Sequence, residues 1–389
     1  MDMKLTRHKI IYGLLRRPVA LFLRLRFNYS HASAPELRPP YLVLANHTTD
    51  YDPLMVACGM RGHMYFVASE HVYRAGFLSR LLGWAIAPIA RVKGASDASS
   101  AMKILKALRR GACVCVFAEG ERSWNGLTGS LHPSTARLAR AAGVPVVTYK
   151  LSGGYLTSPR WASSPRRGAV RGETASVYLP EDVRAMTDAE LSDAIERDIY
   201  VDAFADQRAR PVRYRGGASA EKLETAIYAC PECGGVGTLT SEGETFSCVC
   251  GFSVRFGAFG FFEGERVPFD TVAEWDLWQE RRLREFAPAQ AEEIYSDADA
   301  RLYRIGAGHS ATEVARGALR IGADGLRIGG FTAPVERVSG MAMHGRGTIV
   351  FSAGGSDYEI KCARGVNMRK YLTMFEILRS RDAARRAGV

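Results

Sequence analysis

The chain has 389 residues, too many for one ordinary domain and enough for two or three, each with its own core. It is 47% hydrophobic and 24% charged, which excludes a disordered or collagenous chain, and eight cysteines in this length do not make a disulfide scaffold. Lys and Arg number 52 against 41 Asp and Glu, a net charge of +11, and its uneven placement points to a local anionic surface rather than a generally basic body.

More than half of the surplus lies in residues 1–31, where Lys4, Arg7, Lys9, Arg16, Arg17, Arg24 and Arg26 face Asp2 alone. The uncharged runs in this arm, Ile10–Leu15 and Pro18–Leu23, are far shorter than the ~18 residues of a bilayer span. Arginines interrupt the apolar stretch, which argues against a signal peptide. Ile10, Ile11, Leu14, Leu15, Leu21, Phe22 and Leu25 recur at helical spacing between the arginines. This composition predicts a helix lying in a membrane interface, the alternative being an amphipathic helix that covers the protein's own core. The expected location is the cytoplasmic face of a membrane, peripheral or monotopic, in a reducing compartment.

From Pro40 to about Phe204 short apolar runs alternate with helical patterns. Strands are expected at 41–45, 64–68, 87–89, 113–117, 145–151 and 175–179, and helices at 72–84, 99–108 and 134–141. This alternation predicts an α/β domain with a mainly parallel sheet flanked by helices. Thr187, followed three residues on by Glu190, is a capping-box start for a helix from Asp188. Residues 208–219, rich in Arg, Gly and Pro, read as a linker. Beyond it come a Cys- and Gly-rich stretch, a helix around 275–286, hairpins at 319–328 and 348–362, and a last helix at 367–380. The resulting division is an arm at 1–31, an α/β domain at 32–215, a four-cysteine segment at 220–265, a helical connector at 266–296 and a β-rich segment at 297–389. A β-meander closed by one helix resembles a pleckstrin-homology-like domain.

The first chemically informative stretch is Leu42–Leu54, where an apolar strand runs into Asn46 and His47, with Asp52 five residues after the histidine. On one helix those two side chains would diverge by ~140°, so they can meet only across a turn. Asp52-Pro53 offers one, reading as a cap followed by the first helical proline. That puts His47 at a strand's carboxyl end, where open α/β sheets hold ligands. A His–carboxylate pair serves general-base catalysis: the acid fixes the tautomer, and the other ring nitrogen takes a proton from a hydroxyl. The bland alternative is a surface histidine beside a structural cap. The second stretch, Cys113–Gly126, opens a strand into a loop carrying Glu119, Gly120, Glu121, Arg122 and Ser123. Arg122 offers a bidentate fork for a phosphate, and Gly120 allows close backbone approach. The alternative here is a solvated loop.

Together the two stretches resemble the PlsC-type glycerolipid acyltransferases, with their N-H-x4-D and F-P-E-G-T-R-S motifs. The latter stands here as Phe117-Ala118-Glu119-Gly120-Glu121-Arg122-Ser123. Arg91, in Pro88-Ile89-Ala90-Arg91, and Pro145, in Gly143-Val144-Pro145-Val146-Val147, fall where the family has a phosphate-binding arginine and a valine-proline motif. The resemblance spans residues 35–205; Ala118 and Glu121 depart from it. It implies acyl transfer from acyl-CoA or acyl-carrier protein to lysophosphatidic acid, or else to glycerol 3-phosphate or another lysophospholipid. It implies His47 as base and Asp52 as its partner, with Asn46, Arg91, Glu119, Gly120, Arg122, Ser123 and Pro145 on the substrate side. Glu121 is an extra carboxylate that would alter headgroup binding.

Cys230, Cys233, Cys248 and Cys250 form C-x2-C-x14-C-x-C, two close pairs suited to tetrahedral thiolate coordination. Four cysteine ligands and no open position predict a structural zinc ribbon; a redox dithiol is the alternative. Cys58, Cys113, Cys115 and Cys362 lie in apolar runs and read as core. A nucleic-acid-binding ribbon protein and a non-catalytic lipid scaffold are the rivals of another class. The few basic residues between Cys230 and Phe262 weigh against a nucleic-acid partner.

Overall fold

The computed structural model describes residues 3–69, 88–91, 97–286, 293–306, 310–363 and 365–387. The chain forms two compact units, one of residues 1–160, 164–216 and 258–260, the other of residues 161–163, 217–257 and 261–389.

The first unit opens with helix α1 (Met3–Phe27) and is built on one sheet of seven strands: β1 (Tyr29–His31), β2 (Leu42–Ala45), β3 (Met64–Ser69), β4 (Ile89–Arg91), β5 (Cys113–Phe117), β6 (Val146–Ser152) and β7 (Val170–Tyr178). Their order is β1-β7-β6-β2-β5-β3-β4. Strands β2 to β6 run parallel, while β7 is antiparallel to β6 and β1 parallel to β7. The period-two pattern explains why both faces are covered. Val43, Ala45, Cys113, Cys115, Phe117, Val147, Tyr149 and Leu151 pack with Leu23 and Phe27 of α1 and with Met55 and Val56 of α2 (Asp52–Gly59). Their neighbours Leu42, Leu44, Val114 and Val146 face the other way, onto Ile104, Leu108, Ala136, Ala139, Leu191, Ile195 and Ile199.

The expected strands from 41 to 151 are present within two residues of their predicted bounds. Two readings need correction. The last strand of the unit runs over Val170–Tyr178 rather than starting at 175, because Gly172 and Thr174 interrupt the apolar pattern. Strand β1 carries no readable signal, being three residues long at the sheet edge. The helix expected at 72–84 lies outside the described residues. The capping box is formed: Thr187 Oγ1 accepts the Glu190 N–H, and Glu190 accepts from the Thr187 N–H at 2.7 Å. The expected linker is partly structured, since Arg208 and Ala209 belong to a helix, Ala203–Ala209, and Arg215 pairs with Arg167.

Helix α1 serves the fold on one face and is bare on the other. Tyr12 Oη donates to Ala57 O at 2.9 Å. Arg16 donates to Cys58 O and Met60 O at 3.0 and 2.9 Å, satisfying carbonyls at the end of α2 that have no helical partner. Leu23 and Phe27 are fully buried. Ile10, Leu14, Leu21 and Leu25 stay largely exposed, and at ~100° per residue they share a stripe ~60° wide, turned away from the buried face. The core-covering alternative therefore holds for the inner face only.

In the second unit, β8 (Leu239–Glu242), β9 (Thr245–Cys248), β10 (Ser253–Phe256) and β11 (Phe262–Glu263) form an antiparallel sheet. Strands β12 (Tyr295–Ile305), β13 (Ala311–Gly322), β14 (Gly325–Ile328), β15 (Phe331–Pro334), β16 (Val338–His344), β17 (Thr348–Ala353) and β18 (Ser356–Lys361) form a second antiparallel sheet in the order β15-β14-β13-β12-β18-β17-β16. Both hairpins expected there are present. Gly322 pairs with Gly325 and Ala353 with Ser356. Gly354 and Gly355, at φ 56° and 76°, supply the two positive angles of a tight hairpin turn. The helices Val272–Phe286 and Arg369–Ala387 are joined by a buried bidentate pair, Arg369 to Asp276 at 2.6 and 2.8 Å. The four-cysteine, connector and β-rich segments thus lie in one contact unit.

Candidate functional site

The site begins where β2 ends. Helix α2 starts at Asp52 itself, with Tyr51 at the cap position. The aspartate is therefore not the cap that the sequence suggested; its carboxylate turns back over the preceding turn. Oδ2 lies 2.8 Å from His47 Nδ1 and accepts the N–H groups of Thr48 at 2.6 Å and Thr49 at 2.8 Å. Oδ1 accepts the Thr49 hydroxyl at 2.6 Å. An ionised carboxylate only accepts, so the proton of the neutral imidazole sits on Nδ1 and Nε2 keeps its lone pair. Asp52 is fully buried, whereas the His47 side chain is 21% exposed. Phe117 stacks on the imidazole at 4.1 Å and 17°, fixing the ring plane as Asp52 fixes its rotation.

The second motif loop is stitched to the first. Glu119 Oε1 accepts the His47 N–H at 2.6 Å, Oε2 accepts the Gly129 N–H at 2.7 Å, and the Ser123 N–H donates to His47 O at 3.0 Å. Burial pushes the Glu119 carboxyl up to about 8, against the pull of those two N–H donors. Gly120 turns the loop at φ 76°, a conformation that a side chain disfavours. Arg122 Nη1 reaches Asp50 Oδ2 at 2.8 Å. Glu121 is drawn elsewhere: Arg160 Nη1 donates to its Oε2 at 2.9 Å and to Arg122 O at 3.2 Å. The Arg160 guanidinium also lies 4.1 Å from the Trp124 ring centroid. Arg160 thus anchors the loop from a buried position.

The structure gathers His47, Asp52, Glu119, Gly120 and Arg122 at the carboxyl ends of β2 and β5. Arg91 ends β4, whose register (Ser69 with Arg91, Phe66 with Cys115) puts its backbone at the same sheet edge; its side chain lies outside the described residues. Three expected substrate residues are placed otherwise. Asn46 is fully buried and exchanges two bonds with the Leu151 backbone, at 2.9 and 2.8 Å, locking β2 to β6. The Ser123 hydroxyl donates to Leu127 O at 2.7 Å and accepts the Gly126 N–H at 2.9 Å, closing its own loop. Pro145 precedes β6 and accepts from Leu42 N. It therefore stands at the opposite sheet edge from His47, roughly 20 Å away at ~3.3 Å per residue.

The sequence reading missed Asp50, Phe117, Thr48 and Thr49 as partners. Two threonines three and four residues before an aspartate are a turn-forming pattern, and this was the available signal. Gly154 was also unforeseen: a Cβ there would stand 2.4 Å from Thr48 Oγ1, so the chain after β6 presses on the His47 turn.

In the second unit the Sγ atoms of Cys230, Cys233, Cys248 and Cys250 lie within 4.8 Å of one another. Cys230–Cys250 and Cys233–Cys248 are both 3.8 Å. A tetrahedron with metal–sulfur bonds of about 2.3 Å has edges of about 3.8 Å, so the cluster can hold a metal ion. The Gly235 N–H donates to Cys233 Sγ at 3.4 Å, and Thr238 Oγ1 lies 3.2 Å from Cys248 Sγ, supporting contacts of the kind that orient ligands.

Comparisons with known proteins bear on the first unit. The model of the Acyltransferase family matches residues 26–152, 127 of the 389 residues. No curated protein matches the sequence. The crystal structure of the 1-acyl-sn-glycerophosphate (LPA) acyltransferase PlsC from Thermotoga maritima is similar over 54% of this chain and 84% of that one, with 19% identity and a TM-score of 0.43. The segment that carries His47, Asp52, Glu119 and Arg122 is therefore the part of this chain that the Acyltransferase family model matches.

Proposed function

We propose that this protein transfers a fatty acyl group from a thioester, acyl-CoA or acyl-carrier protein, to the free hydroxyl of lysophosphatidic acid, giving phosphatidic acid. The observation that carries this reading is the His47–Asp52 pair at a strand end, inside the segment that matches the family. His47 Nε2 takes the acceptor's hydroxyl proton as the oxygen attacks the thioester carbonyl. The tetrahedral intermediate then expels the thiol, which leaves with that proton from the imidazolium. The buried Asp52 carboxylate stabilises the cation in between. Arg122 and Arg91 hold the acceptor's phosphate, and Gly120 lines the pocket. A general base contributes ~10²–10⁴-fold, and orienting two reactants supplies ~7–11 kcal/mol, so holding the acceptor matters as much as taking the proton.

Two further assignments belong to this reading. The four cysteines hold a structural zinc, as the tetrahedral spacing of their sulfurs supports. The exposed stripe of α1 docks on a membrane surface on the cytoplasmic side, with the helix lying in the interface. No helix among the described residues is long and apolar enough to cross a membrane.

The test is an acceptor panel of lysophosphatidic acid, glycerol 3-phosphate and other lysophospholipids, offered with radiolabelled acyl-CoA and acyl-carrier protein. The expected product is labelled phosphatidic acid from the native protein and none from folded His47→Ala. Near-normal turnover by that variant would remove the base from the mechanism.

A further inference from the structure

We infer that Asp50 is a built-in competitor for the acceptor's phosphate, and that its carboxylate must leave Arg122 before the acceptor can bind. The inference rests on the reading of Arg122 as a phosphate-binding residue.

Three observations carry it. First, the Arg122–Asp50 contact is a charge-assisted bond of 2.8 Å between a guanidinium and a carboxylate, the geometry a phosphate oxygen would adopt on the same fork. Second, the two partners are unequally held. The Arg122 side chain is 17% exposed and that of Asp50 is 76% exposed. The loop of Arg122 is further fixed by Ser123 N–H to His47 O and by Arg160 to Arg122 O. The arginine stays in place while the aspartate can swing into water. Third, the other acidic side chain beside Arg122 is already engaged, since Glu121 pairs with Arg160, stacked over Trp124. The sequence made Glu121 the suspect carboxylate; the structure puts Asp50 on the arginine instead.

A site whose binding-competent form is only partly populated shows an affinity reduced by that fraction. Asp50 therefore raises the acceptor's KM without entering the chemical step. Exposed ion pairs hold with ~0.2–1 kcal/mol, so releasing this one strengthens acceptor binding by up to about fivefold. The factor is the same for any acceptor that places an anion on Arg122.

The experiment measures kcat and KM for lysophosphatidic acid and for the acyl thioester in wild type, Asp50→Asn, Asp50→Ala, Arg122→Ala and Asp50→Asn/Arg122→Ala. Thermal melting confirms that each variant is folded. The expected result is an acceptor KM lower by up to about fivefold in both Asp50 variants, with kcat and the thioester KM unchanged. In the Arg122→Ala background Asp50→Asn should have no effect, because the two act through one contact. An unchanged or raised acceptor KM in Asp50→Asn overturns the inference, as does a gain that persists without Arg122. If Arg122→Ala itself leaves the acceptor KM untouched, the assignment of Arg122 fails, which is a separate outcome.

Discussion

Asp52 Oδ2 meets His47 Nδ1 at 2.8 Å while it also accepts the backbone N–H groups of Thr48 and Thr49 at 2.6 and 2.8 Å. One buried carboxylate thereby sets both the tautomer of His47 and the shape of the turn that presents it. Asp52→Asn brings an amide N–H₂ against those donors. The expected result is a kcat lower by ~10²–10⁴-fold and a loss of ~1–3 kcal/mol of stability, read from turnover and denaturant unfolding of the same preparation. Loss of stability with full turnover would leave Asp52 a turn residue only.

Glu119 grips the His47 and Gly129 N–H groups with its two oxygens, so it acts on His47 through the backbone. Glu119→Ala releases both donors and lets the imidazole drift. A misplacement of ~1 Å costs up to ~10²-fold, so kcat should fall by roughly that much with the acceptor KM within a factor of about two. A raised acceptor KM at unchanged kcat would instead put Glu119 on the substrate.

Vesicle flotation tests the outer face of α1. Removing the whole arm would strip Leu23 and Phe27 from the core, so the informative variant is Leu14→Ser/Leu21→Ser/Leu25→Ser, which changes exposed positions only. Each buried leucine is worth ~1.5–3 kcal/mol, and the triple variant should bind anionic vesicles at least about tenfold more weakly with an unchanged melting temperature. Equal flotation rejects the anchor.

Elemental analysis should find one zinc per chain, absent from Cys230→Ser/Cys233→Ser. Structural zinc supplies on the order of 10 kcal/mol to small domains, and the first ligand follows directly on Ala229, whose carbonyl accepts the Trp275 indole N–H at 2.9 Å. Chelation should therefore expose Trp275, seen as a red-shifted emission with a lower melting temperature. Metal-free protein that melts as the native one does would reject a structural ion.

His63 ties α1 to the sheet. It stacks on His8 and packs edge-on against Tyr65 and Tyr12. Burial pushes it down to about 4, helped by the charges of His8 and Lys9. Between that value and the ordinary ~6.5 the unfolded chain binds a proton that the folded one refuses. Stability is therefore complete above pH ~6.5 and declines as pH falls toward 4. His63→Phe should flatten that decline in thermal melts taken from pH 7 to pH 4.5; an unchanged slope would clear His63 of the effect.

Much of this protein was legible as text. Short apolar runs alternating with helical spacing can bury themselves only as a covered parallel sheet, so β2, β3, β5 and β6 announced themselves. A histidine and an aspartate five apart across a proline-marked turn have few other ways to meet. Four cysteines in two tight pairs already pointed to a cluster that could hold a metal ion. Strand β1 was too short to leave a periodic trace. The tertiary structure alone chose Asp50 over Glu121 as the partner of Arg122, turned Asn46 and Ser123 inward, and carried Pro145 to the far edge of the sheet. The physical reason is common to all of these: periodicity and spacing report the faces and ends of one segment, whereas the partner of a charged or polar side chain depends on which distant segment folding brings within about 3 Å of it.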